Sequence, residues 1–156
     1  ALLLAEHADR QVDKLRAAAM ALVHDIVEIE AGDSYVYDAE AAKDKPERER
    51  RAADRLFSML PPDQATEMRS LWEEFEAGRT PEAAFASAID RLIPILLNLA
   101  TEGRSWREHG TTADMVLARN AGMAQVSAKL WGVAQTAVRE AVNKGYLAPE
   151  AAPRTE

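Results

Sequence analysis

The sequence predicts an all-α fold, and three observations carry the prediction. Apolar residues recur at three- and four-residue intervals through most of the chain, the period of helices with one buried face. No segment alternates apolar and polar residues as a half-buried strand does. Glycine, proline and capping residues stand where the periodic segments begin and end. With 156 residues, 47% hydrophobic and 29% charged, the chain suits a single domain, expected over residues 1–147 and followed by a disordered tail at 148–156.

The opening ALLLA reads as the last turns of a helix whose beginning lies upstream, so the N-terminal helix is expected to be incomplete. A polar connector with His7 and Asp9 follows. His7 reads most simply as a solvated residue at a helix end, with metal ligation as the alternative. The next helix starts near Val12 or Asp13 and runs to about Glu30, with Leu15, Ala18, Ala19, Leu22, Val23, Ile26 and Ile29 expected inward and Gly32 as its stop. The stretch after Asp33 is a loop. Its Tyr35 and Tyr37 suit either stacking on a base or packing on the outside of the fold, and its charge run reads as a solvated helix start.

A second periodic segment spans Glu47 to Leu60 and stops at Pro61 and Pro62. A third spans Asp63 to Ala77, burying Ala65, Met68, Leu71, Trp72 and Phe75; Glu73, Glu74 and Glu76 show no spacing with a His and are expected on the surface. Thr80 and Pro81 open a strongly apolar helix through Phe85, Ala88, Ile89, Leu92, Ile93, Leu96 and Leu97. Asp90 is out of place there, because an unpaired carboxylate is costly to bury. A salt bridge to Arg91 or Arg104 would offset that cost, and so would a metal ion. Pro94 leaves the carbonyl of Asp90 without its usual helical donor. The polar segment 101–112 carries Arg104, Trp106, Arg107 and His109 between Gly103 and Gly110. It reads equally as a phosphate-meeting loop and as a structural loop clamped by Trp106. Helices Thr112–Asn120 and Ser127–Lys144 close the chain, the latter with Leu130, Val133, Ala134, Ala137, Val138, Ala141 and Val142 inward.

The formal net charge of −7 leaves no general basic field for a nucleic-acid polymer, yet a small phosphate ester remains neutralisable by a metal and a few local cations. The absence of Cys rules out disulfides and thiol catalysis. The N-terminal apolar run is short for a signal peptide, and no later run is expected to span a bilayer. The expectation is a soluble, cytoplasmic protein without membrane contact.

The chemistry concentrates in HDIVEIEAGD. Adjacent helical residues point about 100° apart, so His24 and Asp25 can grip one ion lying beside the helix. Glu28, four residues from His24 and three from Asp25, hangs over the same edge, within reach of a water on that ion.

This phrase resembles the HD-domain metal-dependent phosphohydrolases, in particular the small all-helical branch that includes the 5′-deoxynucleotidases, and the resemblance extends to about Leu147. It implies an HD-domain helical bundle and an enzyme hydrolysing nucleoside or deoxynucleoside 5′-monophosphates to nucleoside and phosphate. It implies His24, Asp25 and Asp90 as ligands of a divalent ion (Mn, Fe, Co, Ni, Zn or Mg), with Glu28 and Asp33 as catalytic residues acting on the water and the leaving group. In that family a further upstream His completes the site, and this sequence starts after it. The alternatives are a degenerate or non-catalytic HD-fold binding module and an HD-type di-iron oxygenase, whose extra His ligands would have to be His7 and His109. A small phosphorylated substrate is the expected partner, and apolar helix faces point to a homodimer.

Overall fold

The computed structural model describes residues 1–32 and 43–149, so the expectations for Asp33, Tyr35 and Tyr37 lie outside the described residues. Seven α-helices are described: α1 (Lys14–Ala31), α2 (Lys45–Phe57), α3 (Pro62–Ala77), α4 (Pro81–Ala100), α5 (Arg104–Glu108), α6 (Ala113–Asn120) and α7 (Ala128–Asn143). Among the described residues the only β feature is an isolated bridge. The chain forms two compact units, residues 1–2 with 12–87 and residues 3–11 with 88–156; α4 is one unbroken helix that begins in the first and continues in the second.

In the first unit α1 packs on α2 and α3. Asp13 caps α1, its side chain accepting from the N–H groups of Leu15 and Arg16 at 2.9 and 3.1 Å, while its own N–H donates to Glu82 at 2.9 Å. Gly32 closes the helix with φ 82°, a conformation that glycine adopts at little cost. The buried face of α1 differs from the expected one. It consists of Ala17, Met20, Val23, His24 and Val27, whereas Leu15, Leu22, Ile26 and Ile29 are exposed, Ile29 by 81%. At about 100° per residue the two stripes lie on nearly opposite sides of the helix. Apolar residues occupy both, so period alone cannot choose between them; the buried side is the one that also carries His24.

The spacing puts the end of α2 at Leu60, but the helix stops at Phe57 and leaves Met59 and Leu60 in an exposed turn. Helix α3 buries Leu71, Trp72 and Phe75 as expected and ends at Gly78, φ 61°. Glu74 is not the surface residue it seems in sequence. It pairs with Arg16 of α1 and accepts from Thr80 Oγ1 at 2.7 Å, joining α1, α3 and the start of α4. The hydrogen bond from Arg16 holds its carboxyl below the usual range.

In the second unit Ser127 caps α7, accepting from the Leu130 N–H at 3.1 Å while its hydroxyl donates to the carbonyl of His7. Asp9 joins the same cap: its N–H donates to Val126 O at 3.0 Å and its carboxylate accepts from the Ala128 N–H at 3.1 Å. The N-terminal connector is therefore built into the start of α7. Leu130, Ala134, Ala137, Val138 and Ala141 are buried, but Val133 is exposed. The polar segment before α6 contains α5, whose Trp106 is buried. Gly103 (φ 69°) lies against the carbonyl of Tyr146, and the Ala113 N–H donates to Ala148 O at 2.8 Å. The chain thus stays engaged through Ala148, where the tail was expected to begin.

Helix α4, with 20 residues and a mean hydropathy of 1.5 over its most apolar window, is long and apolar enough by composition to cross a membrane, against the expectation that no run is. Core helices of soluble proteins pass the same test, and its Phe85, Ala86, Leu92 and Ile95 are buried in protein.

Gly103→Ala is predicted to destabilise the protein. A Cβ there would stand 2.1 Å from Tyr146 O in a backbone conformation that L residues disfavour. Strain and overlap together should cost about 3 kcal/mol or more, read as a lowered urea midpoint at unchanged m.

Candidate metal centre

His24 sits on the third turn of α1, at the edge of its buried face, and is 7% exposed. Its ring stacks on Phe75 of α3, with centroids 4.0 Å apart and planes 26° from parallel. Each ring nitrogen has a carboxylate nearby: Nε2 lies 3.5 Å from Glu28 Oε1 and Nδ1 lies 3.4 Å from Glu76 Oε1. Glu76 is exposed, as expected, and also stands beside the imidazole. A helical spacing pattern cannot find it, because it reaches His24 from another helix.

Two further residues join from α2. Lys45 Nζ donates to Glu28 Oε1 at 2.7 Å and lies 3.3 Å from Glu49 Oε1, one turn along its own helix. The segment read as a solvated helix start therefore feeds a part-buried cluster. Glu49 is 5% exposed, and burial pushes its carboxyl up, with Glu76 and Glu28 adding to the rise and Lys45 opposing it. Burial also works against the Lys45 ammonium, but its hydrogen bond to Glu28 and the charges of Glu28 and Glu49 outweigh that and raise it. The one advance signal was local, the Lys45–Glu49 spacing of four residues.

His24, Asp25 and Asp90 each offer one ligand atom, and these atoms lie within 4.8 Å of one another. Asp90 is on α4. It is not fully buried, so the expected cost of a carboxylate in an apolar interior is reduced. The donor set fits a divalent ion. One imidazole and two carboxylates, without thiolate, suit a hard or borderline cation such as Mn, Fe, Co, Ni, Zn or Mg.

The other candidates have partners of their own. The carbonyl of His7 accepts from Ser127, and His109 Nδ1 is 2.9 Å from Ser105 O on its own turn. Arg104 pairs with Glu108, and Arg107 donates to the carbonyl of Glu102. Asp33 lies outside the described residues.

The model of the HD domain family matches residues 1–131. The chain is 38% identical over 94 residues to the 5′-deoxynucleotidase HDDC2 of Xenopus laevis, covering 60% of this chain and 47% of that protein. It is 35% identical over 88 residues to the Homo sapiens 5′-deoxynucleotidase HDDC2, covering 56% and 43%. The chain thus spans about half the length of these curated relatives. The crystal structure of a predicted metal-dependent phosphohydrolase from Magnetospirillum magnetotacticum MS-1 is similar at a TM-score of 0.87 and 51% identity, over 94% of this chain and 74% of that one.

Asp25→Ala is predicted to weaken Mn or Co binding by about 100-fold or more, since even groups outside the ligand set typically contribute 10–100-fold. Glu28→Ala should bind the metal within a few-fold of wild type. Isothermal titration after chelator treatment checks both; loss of metal in Glu28→Ala would make Glu28 a ligand.

Proposed function

The chain belongs to the HD-domain family, and on that premise we propose that it is a metal-dependent phosphohydrolase acting on nucleoside 5′-monophosphates, deoxy forms included, and releasing nucleoside and phosphate. The observation that carries the reading is the convergence of His24, Asp25 and Asp90 on one small volume, with Glu28 beside the His and outside the ligand set.

A divalent ion held by those three residues would withdraw charge from the phosphoryl oxygens and lower the pKa of a water. Glu28 then handles protons: it orients the attacking water, accepts its proton and can return one to the departing sugar alkoxide. Carried on the same helix one turn beyond His24, it keeps a constant offset from the ligands. His24 is held in orientation by stacking on Phe75 and by the flanking carboxylates of Glu28 and Glu76, so it brings a fixed ring edge to the ion. Asp33 is assigned a supporting role as a second acidic group.

Charge argues for the monophosphate. Glu28 and Glu76 already flank His24, with Glu49 close enough to feel both, and a substrate with about two negative charges is easier to neutralise there than one with four. The same reading puts the enzyme in the cytoplasm with its soluble substrate. A homodimer is supported by the exposed stripe Leu15, Leu22, Ile26 and Ile29 on α1, an apolar surface that a second copy would cover.

The test is phosphate release by the full-length protein from nucleoside mono-, di- and triphosphates with several divalent metals. Monophosphates are expected to turn over, with metal-free protein inactive and Glu28→Ala reduced by about 100-fold or more. Triphosphate turnover without monophosphate release would refute the substrate assignment. No hydrolysis with any metal would favour the non-catalytic binding module.

A further inference from the structure

The role of Lys45 follows from which atoms meet. Its ammonium and the imidazole of His24 approach the same oxygen of Glu28, Oε1, at 2.7 and 3.5 Å. The second carboxylate oxygen of Glu28 has no hydrogen-bond partner among the described residues. A glutamate carboxylate on three rotatable bonds can turn either oxygen outward or swing away from its site. With one oxygen engaged from two sides, it cannot do so without breaking both contacts.

Lys45 is itself held. It sits at the start of α2, two thirds shielded from solvent, with Glu49 one helical turn on and 3.3 Å away. Glu49 is buried among the side chains that join α1 and α2, so the ammonium is fixed from its own helix before it reaches Glu28. A second residue of α2 strengthens the connection. Arg48 donates to the carbonyls of Ala31 and Gly32 at 2.8 and 2.9 Å, pinning the end of the helix that carries Glu28, and its Nε lies 3.1 Å from Asp44. Helix α2 thus presents two anchored cations to the last turns of α1, one to its backbone and one to its acidic side chain.

We propose that Lys45 is a positioning residue for the hydrolytic reaction: it holds one oxygen of Glu28 and so aims the other at the water. The inference rests on the reading of Glu28 as the proton-handling group. Among the described residues the partners of Lys45 are Glu28 and Glu49, neither of them a proposed ligand, and its effect on the reaction passes through Glu28. Glu49 serves Lys45 in the same way, one step further from the chemistry.

The test compares Lys45→Met, Lys45→Arg, Glu28→Gln and the double variant Lys45→Met/Glu28→Gln, each loaded with Mn and assayed on a nucleoside 5′-monophosphate. Lys45→Met should lower kcat by about 10–100-fold, the loss typical of a displaced catalytic group, with KM and bound Mn within about twofold of wild type. Lys45→Arg should recover most of that loss. Added to Glu28→Gln, Lys45→Met should cost no more than about twofold, because the group it aims is already disabled. A wild-type kcat for Lys45→Met, or a full independent loss in the double variant, would overturn the proposal. Loss of Mn from Lys45→Met would overturn it too, by making Lys45 part of the metal site's support. If wild-type protein hydrolyses no phosphomonoester with any metal, the functional reading fails, and thermal unfolding of wild type, Lys45→Met, Glu28→Gln and the double variant decides the contact. Melting-temperature shifts that are non-additive keep Lys45 bound to Glu28, whereas additive shifts remove it.

Discussion

The arrangement depends on the burial of one imidazole. His24 is enclosed where α1 meets α3, and a polar ring in that position must be matched both by an apolar surface for its faces and by polar groups for its nitrogens. Phe75 covers a face, and Glu28 and Glu76 approach the two nitrogens. That constraint selects the inward side of α1. Turning Leu15, Leu22, Ile26 and Ile29 inward would bury more hydrocarbon but swing His24 away from α3.

The same enclosure concentrates negative charge. Glu28, Glu49 and Glu76 arrive from three different helices, and the buried Glu49 is pushed toward its neutral form. Lys45 relieves part of this crowding from inside the cluster. A divalent cation beside His24 would relieve more, so the surroundings favour the ion electrostatically as well as through its ligands. The overall charge of −7 points the same way: any anionic substrate depends on local cations, not on the general field of the protein.

Away from the site, order comes from a few side chains that satisfy helix ends. Asp13 and Ser127 close the starts of α1 and α7, and each also reaches a distant part of its own unit, Asp13 through its N–H to Glu82 and Ser127 through its hydroxyl to His7. Such residues do double service because the first N–H groups of a helix have no partner within it.

The sequence alone determined what short-range physics controls. The helical class, the helix starts near Asp13 and at Thr112 and Ser127, the stop at Gly32, and the placing of His24, Asp25 and Glu28 within two turns of one helix all follow from spacing along a single helix. Asp90 was legible as an anomaly in an apolar run, although it is not fully buried there. Tertiary structure decided the rest. Both sides of α1 are apolar, so only packing against α2 and α3 could say which turns inward. Glu74 and Glu76 look like ordinary surface acids, and Lys45 and Glu49 like one solvated charge pair, until helices distant in sequence bring Arg16, His24 and Glu28 to them. Helical period reports the direction of a side chain from its own axis; what that side chain meets depends on the neighbouring axis, which the period does not encode.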